Sequence, residues 1–377
     1  MTKDGIIAID KPEGISSAAV VARIKKKLGV KKVGHTGTLD PFATGLMLCG
    51  INKGTRLSQF FLGSSKSYIA EVILGIETDT QDCTGHLVKQ CSSSVVNGLS
   101  HEMVMSTIYK FKGEMMQKPP VYSALKHNGQ PIYKLARQGK PVQKPPRRIE
   151  IYSIEILQIK KISLSEILIS AEIEKNLRDT ESTEKRADSA TTIENHSLSV
   201  AKFLSIFPTS ESKGLNGLSV TFEVNCSSGT YIRSLAHDIG QSLGCGGTLY
   251  SLRRTRTCGF SIDDAVSLGK LEMMNKNEAF DRIVPMAHSL PSMPLIQADD
   301  ALMDRISFGQ TFFISYNHLF QESLSLSGRC QTLKPVQLSD SNNSTYMRVI
   351  DRQGELAAII KYNRALDKYD YCCVFTN

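Results

Sequence analysis

The feature that most constrains the fold of this chain is the order of its apolar segments. Runs typical of strands alternate with runs typical of helices, but without the regular strand–helix–strand rhythm of a doubly wound sheet. GIIAID (5–10) and GLMLCGI (45–51) are predicted as strands. KSYIAEVILG (66–75) alternates as a strand and places four side chains on one face: Tyr68, Ala70, Val72 and Leu74. This order is compatible with a mixed α+β fold, although it does not specify one.

Two helices are predicted with clear ends. Ser16 or Ser17 can cap the first, AAVVARIKKKLG (18–29), whose final glycine ends it. The second follows a turn in SSGTYIRSLAHDIGQSLG (227–244), and its apolar stripe consists of Ile232, Leu235, Ala236, Ile239 and Leu243. Arg233 lies off this stripe, so the periodicity alone predicts a surface arginine.

Composition bounds the class of protein. The chain has 377 residues, 41% of them hydrophobic and 22% charged, and no tract is long enough to span a bilayer. The N-terminal apolar run is broken by Asp10 and does not resemble a secretory signal. The nine cysteines show no CxxC spacing, which favours reduced thiols over disulfides or a zinc site. We therefore expect a cytoplasmic protein with no membrane association.

The strongest charge feature lies between Tyr109 and Arg148, after a helix that Ser100 is predicted to cap. This segment is rich in Pro, Gly and Lys, with a helical piece at YKLARQG (133–139), and contains ten basic side chains and one acid, Glu114. Such clustering is typical of a surface that binds a polyanion, because neutralised phosphates release counterions. A loop of solvated lysines is an equally simple interpretation, and the interleaved aromatic residues favour nucleic acid slightly.

Two further regions affect the domain organisation. Residues 175–217 are polar and rich in Ser and Thr, and they are predicted as a flexible insertion between two strands. PSMPLIQ (291–297) resembles a linker. The tail beyond it contains four strand-like pieces, TFFIS, TYMRVID, ELAAIIKY and YCCVF, which indicate a small β-barrel with its own core. The predicted domains are therefore 1–290 and 291–377.

The loop GHTGTLDPFATG (34–45) is rich in glycine, as phosphate-binding loops are. It has neither the GxxxxGK[ST] pattern of a P-loop nor the GxGxxG of a dinucleotide site, and Asp40 would repel phosphate. Nucleotide binding is therefore rejected. Taken alone, an Asp before a Pro most often begins a turn or caps a helix.

The wider sequence changes this interpretation. GHTGTLDPFATGLMLCG closely resembles the catalytic motif of the TruB family of pseudouridine synthases. DKPEGISS, KSYIAEVILGIETDTQDCTG, KPPVYSALKHNGQPIYKLARQG and VNCSSGTYIRSLAHDIGQSLGCGGTLYSLRRTRTCGF resemble further blocks of that family, in the same order. Together they cover most of residues 5–160 and 218–268. The resemblance implies a mixed, largely antiparallel sheet flanked by helices, followed by a small PUA-like β-barrel.

The resemblance also implies a set of site residues. Asp40 matches the essential aspartate, and Arg233 the arginine that holds it. The other matches are residues that contact the uridine or the space around it, and one that supports the catalytic loop: Tyr68, Tyr231, Leu252, His35 and Lys11. From the residues alone, Tyr68 and Leu252 would be structural and His35 an ordinary loop histidine.

The implied reaction is isomerisation of uridine to pseudouridine at position 55 in the T loop of transfer RNA. A target base inside a folded loop must be flipped out. The reaction needs no cofactor and no metal. The bacterial-type order of the blocks and the C-terminal domain favour an enzyme without an obligatory protein partner, and a monomer is the default expectation. Binding to transfer RNA should depend strongly on salt.

Two alternatives stay open at this point. The chain could be a transfer-RNA folding chaperone with little or no catalysis, or an enzyme that modifies another RNA, as guide-dependent relatives do. One departure from the family pattern is Ser228, where many relatives have a lysine.

Overall fold

The computed structural model describes residues 3–163, 216–310, 346–363, 365–366 and 368–376. Its helices, in chain order, are α1 Ser17–Leu28, α2 Ser58–Leu62, α3 Ser93–Asn97, α4 His101–Tyr109, α5 Ile132–Arg137, α6 Ile232–Ser242, α7 Leu268–Met273, α8 Lys276–Asp281 and α9 Asp300–Ser307. Short 3₁₀ helices cover Asn52–Leu57, Ile262–Asp264 and Met286–His288.

The strands are β1 Gly5–Lys11, β2 Val33–His35, β3 Thr44–Ile51, β4 Lys66–Leu74, β5 Ile76–Thr78, β6 Leu87–Gln90, β7 Gly113–Gln117, β8 Lys126–His127, β9 Gln130–Pro131, β10 Arg147–Ser163, β11 Asn216–Cys226, β12 Gly247–Thr257, β13 Phe260–Ser261, β14 Val266–Ser267, β15 Val284–Pro285, β16 Leu295–Gln297, β17 Tyr346–Ile350, β18 Leu356–Asn363 and β19 Lys368–Val374. Every segment that the sequence predicted as a strand within the described residues is a strand or part of one.

Local capping signals placed the helix starts correctly. Ser16 caps α1 by accepting a hydrogen bond from the backbone N–H of Ala19, and Ser100 caps α4 in the same way. Gly29 follows α1 with a φ of 64°, the left-handed conformation in which glycine is favoured. These three assignments depend on side chains within one turn of the helix end, which is why the sequence alone could predict them.

The larger of the two main sheets has eleven strands. Its main path runs β14-β1-β3-β12-β4-β11-β10-β7, with β2, β13 and β15 attached at the side. Only the β1–β14 and β3–β12 pairs are parallel, so the predicted mixed, largely antiparallel sheet is confirmed. At the centre, β4 lies between β12 and β11, and Tyr68 of β4 is opposite Arg254 on one side and Val224 on the other.

The sheet is covered by helices through separate apolar clusters. One cluster joins β4, β11 and β12 to α4 and α6, and it includes Phe222, Leu235 and Leu249, all fully buried. Another joins β1 and β3 to α1 through Ile7, Val20 and further residues of the same strands and helix. Burial of this kind is the main favourable term in folding. The cores fix β3, β4, β12 and α6, which carry the site described below.

The C-terminal strands form an open four-stranded sheet in the order β16-β17-β18-β19. No closed barrel is present among the described residues, so the predicted barrel is not confirmed, and its piece TFFIS lies outside them. The sheet packs against α2, where the rings of Phe60 and Tyr346 are 5.5 Å apart in an edge-on arrangement. The predicted linker 291–297 is partly wrong, because its last three residues form β16.

The predicted insertion 175–217 lies almost wholly outside the described residues. Its last two residues belong to β11, so the predicted boundary is two residues too late. Eight cysteines are described and all are free thiols, as expected. Among the described helices, none has the length and apolar character needed to span a bilayer.

Candidate active site

The loop that carries Asp40 is held by a buried lysine. Lys11, at the end of β1, is fully buried, and its Nζ donates to the backbone carbonyls of Pro12, Pro41 and Ala43 at 2.9, 3.1 and 2.6 Å. Two of these carbonyls, those of Pro41 and Ala43, lie just after Asp40 in the chain. Ser17 adds a second anchor, since its hydroxyl exchanges hydrogen bonds of 2.9 Å with the backbone N–H and carbonyl of Leu39. The loop is therefore fixed by contacts within the protein.

Removal of the Lys11 ammonium should destabilise the fold. In a Lys11→Met variant three buried or half-buried carbonyls lose their donor, and we expect a loss of about 3 kcal/mol in the free energy of unfolding at neutral pH. Urea unfolding of the wild type and the variant measures this loss. A Lys26→Met variant, which changes an exposed lysine of α1, is the control and should unfold like the wild type.

The stability difference should also depend on pH. Burial lowers the pKa of Lys11 to about 8, from 10.5, the ordinary value that the unfolded chain keeps. Between these two values the unfolded chain binds more protons, so wild-type stability rises with pH. From about pH 7.5 to about pH 9.5 the wild type should gain about 2 kcal/mol relative to Lys11→Met. Parallel pH dependence of the two proteins would contradict the buried, pKa-shifted ammonium.

The Asp40 carboxylate faces an arginine that is shared with a second carboxylate. Arg233 Nε lies 3.0 Å from Asp40 Oδ2, and Arg233 Nη1 lies 3.3 Å from Asp82 Oδ2. Arg233 also donates to the carbonyls of Thr80 and Tyr122 at 3.2 and 2.8 Å. The side chains of Arg233 and Asp82 are each 5% exposed, whereas that of Asp40 is 37% exposed. Asp40 is thus the member of the trio that a ligand can reach.

Asp82 is held as firmly as the arginine. Its Oδ1 accepts three hydrogen bonds, from the hydroxyl of Thr80 at 2.8 Å and from the backbone N–H and hydroxyl of Thr84 at 2.9 and 2.6 Å. With Oδ1 occupied in this way, Oδ2 is left for Arg233. The arrangement orients the guanidinium and leaves its Nε edge for Asp40.

Burial and charge act in opposite directions on Asp40. Burial in the protein raises the pKa of the Asp40 carboxyl. The Arg233 charge beside it lowers that pKa, and the Asp82 charge raises it. The ionised form therefore depends on Arg233. A partly desolvated carboxylate kept charged by one arginine is a stronger nucleophile than a carboxylate in water.

Tyr68 lies against a second buried arginine. Tyr68 is 7% exposed and Arg254, opposite it on β12, is 2% exposed. Arg254 donates from Nε to the carbonyl of Leu46 at 2.6 Å and from Nη2 to the carbonyl of Gly37 at 3.3 Å, so it also ties the Asp40 loop to β3. Burial raises the pKa of Tyr68, and its hydrogen bond with Arg254 opposes this rise. Tyr68 is therefore a neutral phenol at pH 7.

Tyr231 and Leu252 border the same region. Gln117 clamps the backbone of Tyr231, donating to its carbonyl at 3.0 Å and accepting from its N–H at 2.8 Å. Tyr231 directly precedes α6, two residues before Arg233. Leu252 lies on β12 opposite Ala70 and two residues from Arg254, with 8% exposure.

His35 ends β2 and lies near Arg254. Its Nδ1 is buried and makes no hydrogen bond within the part of the chain that the structure describes. Burial lowers the pKa of His35, and the charge of Arg254 lowers it further. A neutral imidazole at this position can fill space or stack, but it does not carry a charge to RNA.

The chain is similar to known proteins along most of its length. A model described as TruB family pseudouridylate synthase (N terminal domain) matches residues 25–177, and one described as tRNA pseudouridylate synthase B C-terminal domain matches residues 233–290. The tRNA pseudouridine synthase B of Syntrophotalea carbinolica is 33% identical over 306 residues, covering 81% of each chain. That of Bordetella avium is 36% identical over 276 residues, covering 73% of this chain and 90% of the relative.

The chain belongs to the TruB family of pseudouridine synthases. Its fold is also similar to a solved structure titled "Crystal Structure of a Cbf5-Nop10-Gar1 Complex", with a TM-score of 0.58 and 21% identity over 99% of this chain and 85% of that one. At this identity the likeness concerns the fold alone.

Of the residues that the TruB resemblance implied, the structure brings Asp40 and Arg233 into direct contact and places Lys11 behind the same loop. Tyr68 and His35 are linked to that loop through Arg254. The simple interpretation of Arg233 as a surface residue is wrong, because its side chain is 5% exposed.

Two buried residues were missed by sequence reasoning. Asp82 lies in IETDTQDCTG, a stretch interpreted as a polar loop although it belongs to a block that resembles the TruB family. Arg254 lies in SLRR, where only Leu252 was singled out. An acid and an arginine inside TruB-like blocks were the available signals, but no local pattern distinguishes them from their exposed neighbours.

Proposed function

We propose that this chain isomerises uridine to pseudouridine at position 55 in the T loop of transfer RNA, with Asp40 as the nucleophile. The observation that supports this proposal most directly is the half-exposed Asp40 carboxylate on the buried Arg233, which is itself oriented by Asp82. Relatives with 33–36% identity over most of the chain are named tRNA pseudouridine synthase B.

The reaction fits a site built around one carboxylate. The bond between N1 of the base and C1′ of the ribose breaks, the uracil rotates, and C5 bonds to C1′. C5 loses a proton and N1 gains one, so the product is an isomer of the substrate. Nothing is oxidised or hydrolysed overall. Asp40 adds covalently to the substrate in one step and leaves in a later one, which is the role of a nucleophilic catalyst.

The base must leave the RNA stack to reach Asp40, so base flipping is part of the proposal. Tyr68 offers an aromatic platform, and Tyr231 and Leu252 complete the apolar rim. We assign stacking to Tyr68, whose phenol is kept protonated at neutral pH by burial. His35 lies where it can occupy space that flipped bases leave.

Recognition of the RNA is assigned to the basic segment 109–148 and to a C-terminal unit. Most of the basic side chains of that segment are exposed: Lys110, Lys112, Lys118, Lys126, Lys134, Arg137, Lys140 and Arg148. Arg148 is paired with Glu114, so it is not assigned to the RNA. We assign 1–290 to the catalytic domain and 291–377 to a PUA-like RNA-binding domain. The solved structure with a similar fold is titled as a complex of three proteins, whereas we propose that this chain acts as a monomer without an obligatory partner.

The proposal is tested with transfer RNA that carries tritium at C5 of uridine. Formation of the carbon glycoside must release that tritium, and mapping should assign it to one T-loop uridine. Binding should weaken steeply with added salt, because phosphate contacts release counterions. Tight, salt-sensitive binding without tritium release would instead support the chaperone alternative, and release from another uridine would correct the assigned position.

A further inference from the structure

Arg147 is a basic side chain beside the site. It begins β10, and its guanidinium carbon lies 4.7 Å from the centre of the Tyr231 ring, a cation–π distance. In the described part of the chain, Arg147 forms no ion pair, and its Nε is buried without a hydrogen-bond partner. A buried arginine nitrogen without an acceptor is unusual, because buried donors are normally paired.

The guanidinium also lies close to the backbone of Gly229. Gly229 has a φ of +85°, and a Cβ built there would lie 3.1 Å from Arg147 Cζ and 3.3 Å from each of its two Nη atoms. These nearly equal distances place the Gly229 backbone over the face of the guanidinium. The plane is thus confined by Gly229 and by the Tyr231 ring, while the Nη atoms are not buried.

Arg147 is tied to the catalytic residues by the sheet. It pairs in register with Gln117 of β7, which is the residue that clamps the backbone of Tyr231. Tyr231 in turn precedes α6, where Arg233 holds Asp40. The positions of Arg147, Tyr231 and Asp40 are therefore set relative to one another by the β7–β10 pairing and by the side-chain contacts of Gln117 and Arg233.

The next residue of the strand behaves differently. Successive side chains of a strand point to opposite faces. Arg148 is 72% exposed and forms a close ion pair with Glu114 across the β7–β10 pair. One arginine of this adjacent pair is thus neutralised within the protein, and the other has its charge uncompensated next to the site.

We propose that Arg147 binds a backbone phosphate of the RNA next to the target uridine. This inference rests on the proposed function, since it assumes that RNA enters the cleft at Tyr231. A planar guanidinium held by stacking presents its free N–H groups in the fork geometry that matches two phosphate oxygens. The phosphate would satisfy donors that the protein leaves unpaired, and the contact would hold the strand while the base is turned toward Asp40.

The first experiment compares Arg147→Gln with Arg148→Gln on unmodified transfer RNA. Arg147→Gln should raise Kd by roughly tenfold and lower the slope of log K against log salt by about one, as for the loss of one phosphate contact. Arg148→Gln should change both quantities much less. Equal effects of the two substitutions would overturn the inference.

The second experiment separates phosphate binding from support of Tyr231. RNAs with a neutral methylphosphonate at the phosphate on the 5′ or the 3′ side of the target replace the unmodified strand. One of these RNAs should bind the wild type as weakly as unmodified RNA binds Arg147→Gln, with no further loss in the variant. If the losses of affinity caused by the methylphosphonate and by Arg147→Gln added up fully at both positions, Arg147 would only support the Tyr231 ring. The inference would then be wrong.

Two controls distinguish a wrong inference about Arg147 from a misfolded variant and from a wrong proposed function. Arg147→Lys keeps the charge, so it should keep the salt slope of the wild type even if it loses part of the affinity. It therefore tests the inference if Arg147→Gln does not fold. Tritium release by the wild type tests the proposed function separately. Suppose that the wild type releases tritium normally and that Arg147→Gln has an unchanged Kd and salt slope. The phosphate-binding role of Arg147 would then be excluded, and the proposed function would still hold.

Discussion

An Asp40→Asn variant is expected to form no measurable pseudouridine in transfer RNA. The amide has nearly the same shape as the carboxylate but is a far weaker nucleophile, and it cannot form an ion pair with Arg233. In enzymes that use a nucleophilic side chain, its loss lowers the rate at which bound substrate reacts by at least about 10⁴-fold. Single-turnover tritium release from C5-labelled transfer RNA, at enzyme concentrations far above Kd, measures this directly.

Binding and folding serve as the internal controls for Asp40→Asn. The side chain of Asp40 is 37% exposed. If RNA binds over it as proposed, its neutralisation removes a repulsion from phosphate and should leave Kd unchanged or lower it. Asp238→Asn is the matched control. Asp238 is half-buried on α6, the helix that carries Arg233. It forms no ion pair with another residue of the described ranges. A fast residual reaction in Asp40→Asn, with Asp238→Asn normal, would exclude Asp40 as the nucleophile.

The parts of the fold that the sequence predicted are those with local causes. The start of α1 at Ser16 and of α4 at Ser100 follow from side chains that bond within their own first turn. The alternation in β4 likewise predicted the buried face that contains Tyr68. The order of strands in the eleven-stranded sheet was not predictable in this way, because β4 pairs with β11 and β12, far along the chain.

Arg233 shows why the site was harder to predict than the fold. Helical periodicity separates the apolar stripe of α6 from its other faces, and it assigns Arg233 to a face that is polar. In the structure that face is covered by the carbonyls of Thr80 and Tyr122 and by Asp82, which come from two distant segments. No pattern within α6 records those neighbours. Only the family resemblance placed Arg233 in the site.

Removal of the Arg233 charge should have the second largest effect, and its size should depend on pH. In an Arg233→Gln variant, Asp40 keeps the burial that raises its pKa and loses the main charge that lowers it. The pKa of Asp40 should therefore rise further, and less of the carboxylate is ionised near neutral pH. We expect the single-turnover rate to fall by about 10³-fold at pH 7 and to recover partly as the pH is raised.

Arg233→Lys is the matched variant that keeps the charge. A lysine presents a compact ammonium, so it cannot reach Asp40, Asp82 and the two carbonyls together, and its rate should also fall. The pH at which its rate falls on the acid side should nevertheless stay near that of the wild type, because a positive charge remains beside the carboxylate. Urea unfolding of both variants corrects for lost stability, which we expect to be about 3 kcal/mol for a broken buried pair. Identical pH profiles for Arg233→Gln and Arg233→Lys would show that Arg233 supports the fold without controlling the ionisation of Asp40.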